Sequence, residues 1–392
     1  MSQAPSVPAD AAGVLRLLRS DRAAAAEAVA ALDTEGQVAL ICGAPVQQRH
    51  TLLDLLPAPE RVIALLPEAE LCFTVKAIGL ESAVWVLDHA TPEQVAAAID
   101  LDVWRDHAPH PAQLDAWLDA LAETGDESLL RAITHLDAEL VVHWLQNRIL
   151  VAQKPSDDED WEPPDGSQTL DGQFHFAQLR SGDDAASIRR ALTILWNGDY
   201  WTYFRLMLGV IHELPTENQE WALRWRNARL QDLGFPPWDE AMRLYRHLRS
   251  HERTRLPADA RPLDVETWRL PVWLPQLPES AEGAHLVFRA ITKLDAEERT
   301  AAFYAFVAVA NAVAVADRMP LSDTETTPRA IAKAARWIDR GLEHIADSHG
   351  LEHVDVLRRV ALEHLFRVGA NLDPEAARPP PREDPEEPHS DA

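Results

Sequence analysis

Apolar positions recur every three or four residues through most of this chain. They come in short runs, each opened by proline or a small polar residue with an acid close behind. "LDTEGQVAL" at 32, "PAPERVIAL" at 57, "LPEAELCFTV" at 66, "TPEQVAAAI" at 91 and "LDAELVVHWL" at 136 share this form. Asp or Thr accepts a hydrogen bond from an orphan helix N–H. Proline at the first helical position gives up no bond, and the acid complements the helix dipole. The spacing predicts a series of short helices over 12–149, after a flexible N-terminus at 1–11. Their returns are irregular, so a mainly α fold is expected: an irregular α-solenoid or helical array, with a plain irregular bundle as the alternative.

The period changes over 150–180. "ILVAQK" reads as a strand, "PSDDEDWEPPDGS" as an acidic loop, and Asp171-Gly172 sits between two short alternating runs. The expectation is one small β-hairpin insertion, with Phe174 and Phe176 on one face. The loop lacks the glycine and glutamate positions of an EF-hand. A central helical region follows at 181–250. Thr216 and Gln219 fit a capping box for a helix over 217–233, Gly234 stops it, and Pro237 opens another to about 248. The Pro-rich stretch 251–280 reads as a linker or strap. A C-terminal helical bundle is expected over 281–371, with helices at 281–291, 295–318, 328–348 and 351–369. An acidic, Pro-rich tail at 372–392 should be disordered.

One stretch runs against the composition. The chain carries 63 acidic and 37 basic residues, a formal net charge of -26. Yet "WALRWRNARL" places Arg224, Arg226 and Arg229 among tryptophans. On a helical wheel Trp221, Ala222, Leu223, Trp225, Ala228, Leu230 and Leu233 fill a broad apolar arc. Arg224, Asn227 and Gln231 fall on the opposite side. Arg226 and Arg229 lie inside the apolar arc and should point inward. The preceding helix, "DYWTYFRLMLGVIHEL", is apolar nearly all round and should be buried. Its narrow polar or bare stripe is Thr202, Arg205, Gly209, His212 and Glu213. Packed antiparallel, the two helices could bring together Arg205, His212, Glu213, Trp225, Arg226 and Arg229. Two readings stay open. One is a structural ion-pair network with Glu213, Asp232 or Asp239. The other is an anion pocket with aromatic walls, where guanidinium groups hold a carboxylate or phosphate bidentately.

The acidic balance argues against nucleic-acid binding, which rests on neutralising phosphates, and against an anionic membrane surface. Two cysteines, Cys42 and Cys72, are too few for a disulfide framework and fit a reducing, cytoplasmic compartment. No apolar N-terminal run suggests a signal peptide. "AAFYAFVAVANAVAVA", 301–316, carries Asn311 and is shorter than a bilayer span, so it reads as a buried core helix without membrane insertion. His344, His349, His353 and His364 cluster near three glutamates. A helix break at Gly350 and the lack of an HExxH or ExxH pair argue against metal. No dinucleotide, Walker or nucleophile-elbow motif is present, and no cofactor is expected.

"LCFTVKAIGLESAVWVL", "PEQVAAAIDLDVW", "HELPTENQEWALRWRNARLQDLGFP" with "DEAMRLY", and "VALEHLFRVG" together resemble a bacterial family, domain of unknown function six-one-seven-eight. The resemblance spans about 45–370 and is most specific over Leu214 to Pro236. The family brings no activity, cofactor or catalytic residue. Residues 45–145 are also weakly similar to the cytosolic helical N domain of magnesium transporters. The expected function is a cytoplasmic, non-catalytic scaffold or adaptor for a protein partner. The alternative is an enzyme or sensor taking a small anionic ligand at the helix pair. A closed ion-pair network with a groove elsewhere would favour the scaffold. Convergent arginines with unpaired donors in a deep concavity would favour the pocket.

Overall fold

The computed structural model describes residues 10–156, 160–179, 184–257 and 285–379. Most of the expected flexible N-terminus, part of the acidic loop, most of the 251–280 linker and the end of the tail lie outside the described residues. The fold is mainly α, with two small sheets among the described residues. It divides into two compact units, with Leu233 ending the described part of the first and Gly234 opening the second. The division cuts through the stretch read from the sequence as one central region, 181–250.

In the first unit two of the expected side-chain caps operate, and the one expected at Asp137 does not. Asp33 accepts from Gly36 N, and Thr91 forms a full capping box with Gln94 over Pro92–Asp102. Gln94 also reaches back, donating to the Ile63 and Leu66 carbonyls. The helices are short, so each buries little apolar area by itself. Polar clasps between them supplement the packing. Arg49, 4% exposed, pairs with buried Glu70 and donates to the Cys42 and Ala44 carbonyls. Buried Asp102 accepts from Lys76 Nζ, Gln113 Nε2 and Trp117 Nε1 at 3.1, 2.7 and 2.8 Å. Cys42 and Cys72 are free and buried, and burial pushes the Cys42 thiol up to about 12.

The insertion is larger than one hairpin. Ile149–Gln153 and Gln168–Thr169 flank Phe174–Gln178 in an antiparallel three-stranded sheet. Asp171 Oδ1 accepts from the Gln173 and Phe174 amides and Gly172 takes φ +73°, so the turn is built as read. Phe174 and Phe176 are both buried. A second two-stranded sheet, Trp104–Arg105 with Ala108–Pro109, turns at Asp106 with φ +54°. Two-residue strands have no alternation to detect, and this one escaped the sequence reading.

The second unit is built on longer helices. We call Ala296–Ala316 the alanine helix. It packs against Thr326–His349, which packs in turn on Leu362–Leu372. Gly341 and Gly369 face each other across that last contact. A Cβ on Gly341 would strike the Leu365 carbonyl, and one on Gly369 the Trp337 carbonyl. Only hydrogen fits at either position, and the backbones touch. Around this contact lie Phe288, Phe306, Trp337, Ile338 and Phe366, all buried. Asn311 donates to the Gly234 carbonyl at 3.1 Å, a polar tether on an otherwise apolar helix. The alanine helix is long and apolar enough to cross a membrane, and 56% of its most apolar window is buried inside the protein.

Four expectations need correction here. The helix expected over 351–369 is two, His353–Leu357 and Leu362–Leu372. The helix from Pro237 stops at Ala241 and continues as a 3-10 turn, Met242–Tyr245. The helix expected over 217–233 starts at Pro215 with no side-chain cap, because proline at the first position already needs no acceptor. The tail expected to be disordered from residue 372 begins ordered. Asp373 caps Pro374–Ala377, and Ala377 is 1% exposed. One buried methyl group and a cap outweigh the polar composition of that short piece.

Candidate functional site

The site is built on two helices of the first unit: the aromatic helix, Tyr200–His212, and the arginine helix, Pro215–Asp232. Leu214 joins them with Glu213. Glu217 in the first turn and Arg229 in the last complement the dipole of the arginine helix, and Gly234, φ +80°, ends it. Its first turn is pinned to the helix Ala138–Gln146. Asn218, 3% exposed, donates to Gln146 Oε1. The Gln146 amide donates to the Glu213 carbonyl at 2.8 Å. The His143 ring lies 3.1 Å from the Pro215 carbonyl oxygen, which can only accept.

The inward arginines find carboxylates from elsewhere in the chain. Arg229 donates to Asp100 through Nε and Nη2 at 2.6 and 3.0 Å. Through Nη1 and Nη2 it donates to Asp137 at 2.8 and 2.6 Å. Both pairs have two-pronged geometry, the strongest form of a guanidinium–carboxylate contact. Asp100 is buried and Arg229 reaches solvent over about a third of its side chain, 35%. Burial alone would lower Arg229, but the hydrogen bonds it donates to Asp137 and Asp100 outweigh it and hold the guanidinium above its ordinary value. Burial pushes Asp100 up, against the opposing pull of Arg229.

Arg226 is held differently. Its Nε donates to the Asp100 carbonyl at 2.8 Å, and its guanidinium lies 5.2 Å above the buried Trp104 ring. Burial pulls it down to about 10; Asp100 opposes that shift and the neighbouring Arg229 charge adds to it. The two inward arginines are therefore closed into a network with Asp100, Asp137 and Trp104, and not with Glu213, Asp232 or Asp239.

Asp100 and Asp137 escaped the sequence reading. The sequence predicts a helix cap at Asp137, but its carboxylate forms no cap bond and goes to Arg229. Asp100 left a signal that could have been used. It stands in the last turn of an apolar helix, where the dipole disfavours an acid, so it needs a cation.

The outward face departs from the wheel. Trp221 and Trp225, placed in the inward apolar arc by sequence, are 46% and 45% exposed. Their rings stack with centroids 6.0 Å apart, and Arg224 lies 4.8 Å over Trp221 while pairing with Glu220 at 2.9 Å. Glu217, Ala228, Gln231 and Asp232 complete the exposed arc. The helix is inverted: Arg226 and Arg229 in, Trp221 and Trp225 out. The physical reason is the position of Asp100 and Asp137. Buried Asp100 and half-buried Asp137 demand cations, and the arc holding Arg226 and Arg229 turns toward them at the expense of the indoles.

The aromatic helix also differs from its reading. Tyr203, Leu206 and Met207 are buried, but Trp201 is 76% exposed. Of its polar stripe, only Gly209 packs inward; a Cβ there would meet Val142. Arg205, His212 and Glu213 are exposed and do not converge on Arg226 and Arg229. Among the described residues no group of three potential metal ligands occurs. His349 faces the Thr254 carbonyl and His364 the Glu252 carbonyl.

The chain belongs to a family of unknown function (DUF6178), whose model matches residues 26–378. No curated protein and no solved structure matches it. The comparisons add no support for the similarity to the magnesium-transporter domain.

Proposed function

We propose that this protein is a cytoplasmic, non-catalytic helical adaptor that grips a protein partner with the outward face of the arginine helix. The observation that carries the reading is the inversion of that helix. Trp221 and Trp225 stand exposed side by side, with Arg224 stacked on the first. Exposed tryptophans lose apolar contact with every water that covers them, and Trp and Arg supply most hot-spot energy at protein interfaces. The cations beneath hold the face rigid, so a partner meets a preorganised surface. The closed state of Arg229 supports an adaptor over an anion site, because both its donor edges are taken. Free, buried cysteines agree with a reducing compartment.

The test is photocrosslinking in living cells from a benzoylphenylalanine at position 228, which is exposed on the same arc. One discrete adduct is expected. It should vanish in Trp221→Ala/Trp225→Ala and persist in Arg205→Ala. No adduct, or one indifferent to the tryptophans, refutes the reading.

One observation favours the second reading, an enzyme or sensor taking a small anion. Among the described residues Arg226 has no carboxylate bonded to its guanidinium; Asp100 offers it a carbonyl and spends its carboxylate on Arg229. Phosphates and dicarboxylates that raise the melting temperature of the wild type but not of Arg226→Gln would establish that reading in place of the first.

A further inference from the structure

The second unit contains a cleft of about 560 Å³ that the adaptor reading does not use. Its floor is one face of the alanine helix: Ala302, Ala305, Ala308, Val309 and Ala312. Spaced by three or four residues, these positions run roughly 15 Å along the helix at ~1.5 Å per residue. Leu244 lines a second side, and Leu357, Val360 and Leu362 a third. The volume lies within the roughly 300–1,000 Å³ of small-molecule sites. The floor bears no hydrogen-bonding side chain, so it suits a hydrocarbon.

The mouth is the opposite in character. Arg243, Arg358 and Arg359 line it, with Glu240 and Glu363. Arg358 is engaged with Glu298 at 3.0 and 3.2 Å. Glu363 pairs with Arg367, and Glu240 lies 3.8 Å from Arg243, too far for a hydrogen bond. Arg359 is exposed and has no ion pair among the described residues. The crowding of like charge is felt nearby: burial, then Arg246 and Arg243, pull the Arg367 guanidinium below its ordinary value. A local excess of arginine in a chain of net charge -26 runs against the composition.

We infer that this cleft binds an amphiphilic anion, a single hydrocarbon chain laid along the alanine helix with a carboxylate or phosphate head at Arg243 and Arg359. Burial of the chain supplies most of the affinity, since burying apolar area contributes about 25 cal/mol per Å². The exposed arginines set the sign of the head group and contribute less, because water screens them.

Calorimetric titration of the full chain with dodecanoate, below its micelle concentration, tests this. Saturable single-site binding is expected. Ala308→Trp puts an indole into the cleft from a partly exposed position, so folding should survive, as circular dichroism will verify. It should weaken binding at least about tenfold. Arg243→Glu/Arg359→Glu should weaken it about fivefold, an effect matched in the wild type by raising the salt. Decyltrimethylammonium should bind far more weakly. No saturation, equal affinity in the folded Ala308→Trp variant, or equal affinity for the cation overturns the inference. So does capture of a protein by a crosslinker at 308 when dodecanoate does not bind, which would make the cleft a peptide groove. The tryptophan-face adduct at 228 is a separate readout, so either proposal can fail alone.

Discussion

In the first unit, buried or half-buried carboxylates clasp helices together: Glu70 to Arg49, Asp102 to Lys76, Asp100 and the half-buried Asp137 to Arg229. In the second, the 24-residue helix Thr326–His349 and the shorter Leu362–Leu372 meet backbone to backbone at Gly341 and Gly369, and the surrounding core is Phe, Trp, Ile and Ala. The second unit has a buried carboxylate too, Asp317, held by Tyr245 and Lys333, but it caps the end of the alanine helix and does not join the glycine contact. The two solutions differ in what they demand of the sequence. Ion pairs need a specific partner at one atom and tolerate changes of volume beside it. Backbone contact needs no partner and tolerates no added atom. A short helix cannot bury enough apolar area to fix its own position, so a directional clasp adds what packing lacks. A helix of more than 20 residues has the area and needs only shape.

Substitutions in each unit sharpen the contrast, and the largest effect is expected at Glu70. Glu70→Ala leaves the Arg49 charge buried without its partner, which should cost about 3–5 kcal/mol in urea denaturation. Exchanging both, Arg49→Met with Glu70→Leu, should recover part of that loss, the remainder reflecting the Cys42 and Ala44 carbonyls that Arg49 no longer reaches. If the double exchange is as damaging as the single, the pair contributes more than mutual compensation. Gly341→Ala comes next, at about 3 kcal/mol, the upper end of overpacking costs, because the obstacle is a carbonyl oxygen and no rotamer relieves it. Hydrogen exchange should show the loss confined to the second unit, with the first unchanged.

Arg229→Ala follows, at about 2–3 kcal/mol, less than a fully buried pair because its side chain is a third exposed. Arg226→Ala should cost clearly less than Arg229→Ala in the same melts, since it frees no carboxylate. Arg224→Ala, on the solvent side, should stay within about 0.5 kcal/mol. Equal losses at all three positions would contradict the inverted helix. The smallest effect is a pH dependence. Burial holds the His143 ring below its ordinary value. A base depressed in the fold binds fewer protons there than in the unfolded chain. Its contribution is therefore complete above about pH 6.5 and is lost as pH falls below that. The drop in melting temperature between pH 7.5 and 5.5 should be smaller in His143→Gln than in the wild type.

The helix starts capped by Asp33 and Thr91, the hairpin turn at Asp171-Gly172 and the inward direction of Arg226 and Arg229 were legible in sequence. Each rests on residues within one helical turn or one β-turn. What connects distant segments was not. Asp100 and Asp137 answer Arg229 from 129 and 92 residues away, and no local period carries that information. The exposure of Trp221 and Trp225 failed for the same reason. A wheel ranks faces by apolarity, whereas this helix is oriented by charges it cannot see. Convergence of Arg205, His212 and Glu213 failed because Arg229 turns to Asp100 and Asp137 and Arg226 to the Asp100 carbonyl, while the charged ends of the stripe stay in solvent.

The distance between Arg229 and its carboxylates also sets an order of assembly on the ribosome. At ~5–20 residues per second, synthesis takes roughly 6–26 s to pass from Asp100 to Arg229. Through nearly all of that interval the newborn chain holds the Pro92–Asp102 helix, and by its end most of the first unit, but not the guanidinium that neutralises Asp100. An unpaired carboxylate resists an apolar interior, so Asp100 stays hydrated and its helix loosely docked. The first unit is thus finished from its C-terminal end. Nascent chains stalled between residues 138 and 228 should be cleaved readily around 92–102, and chains released beyond residue 233 should be protected there.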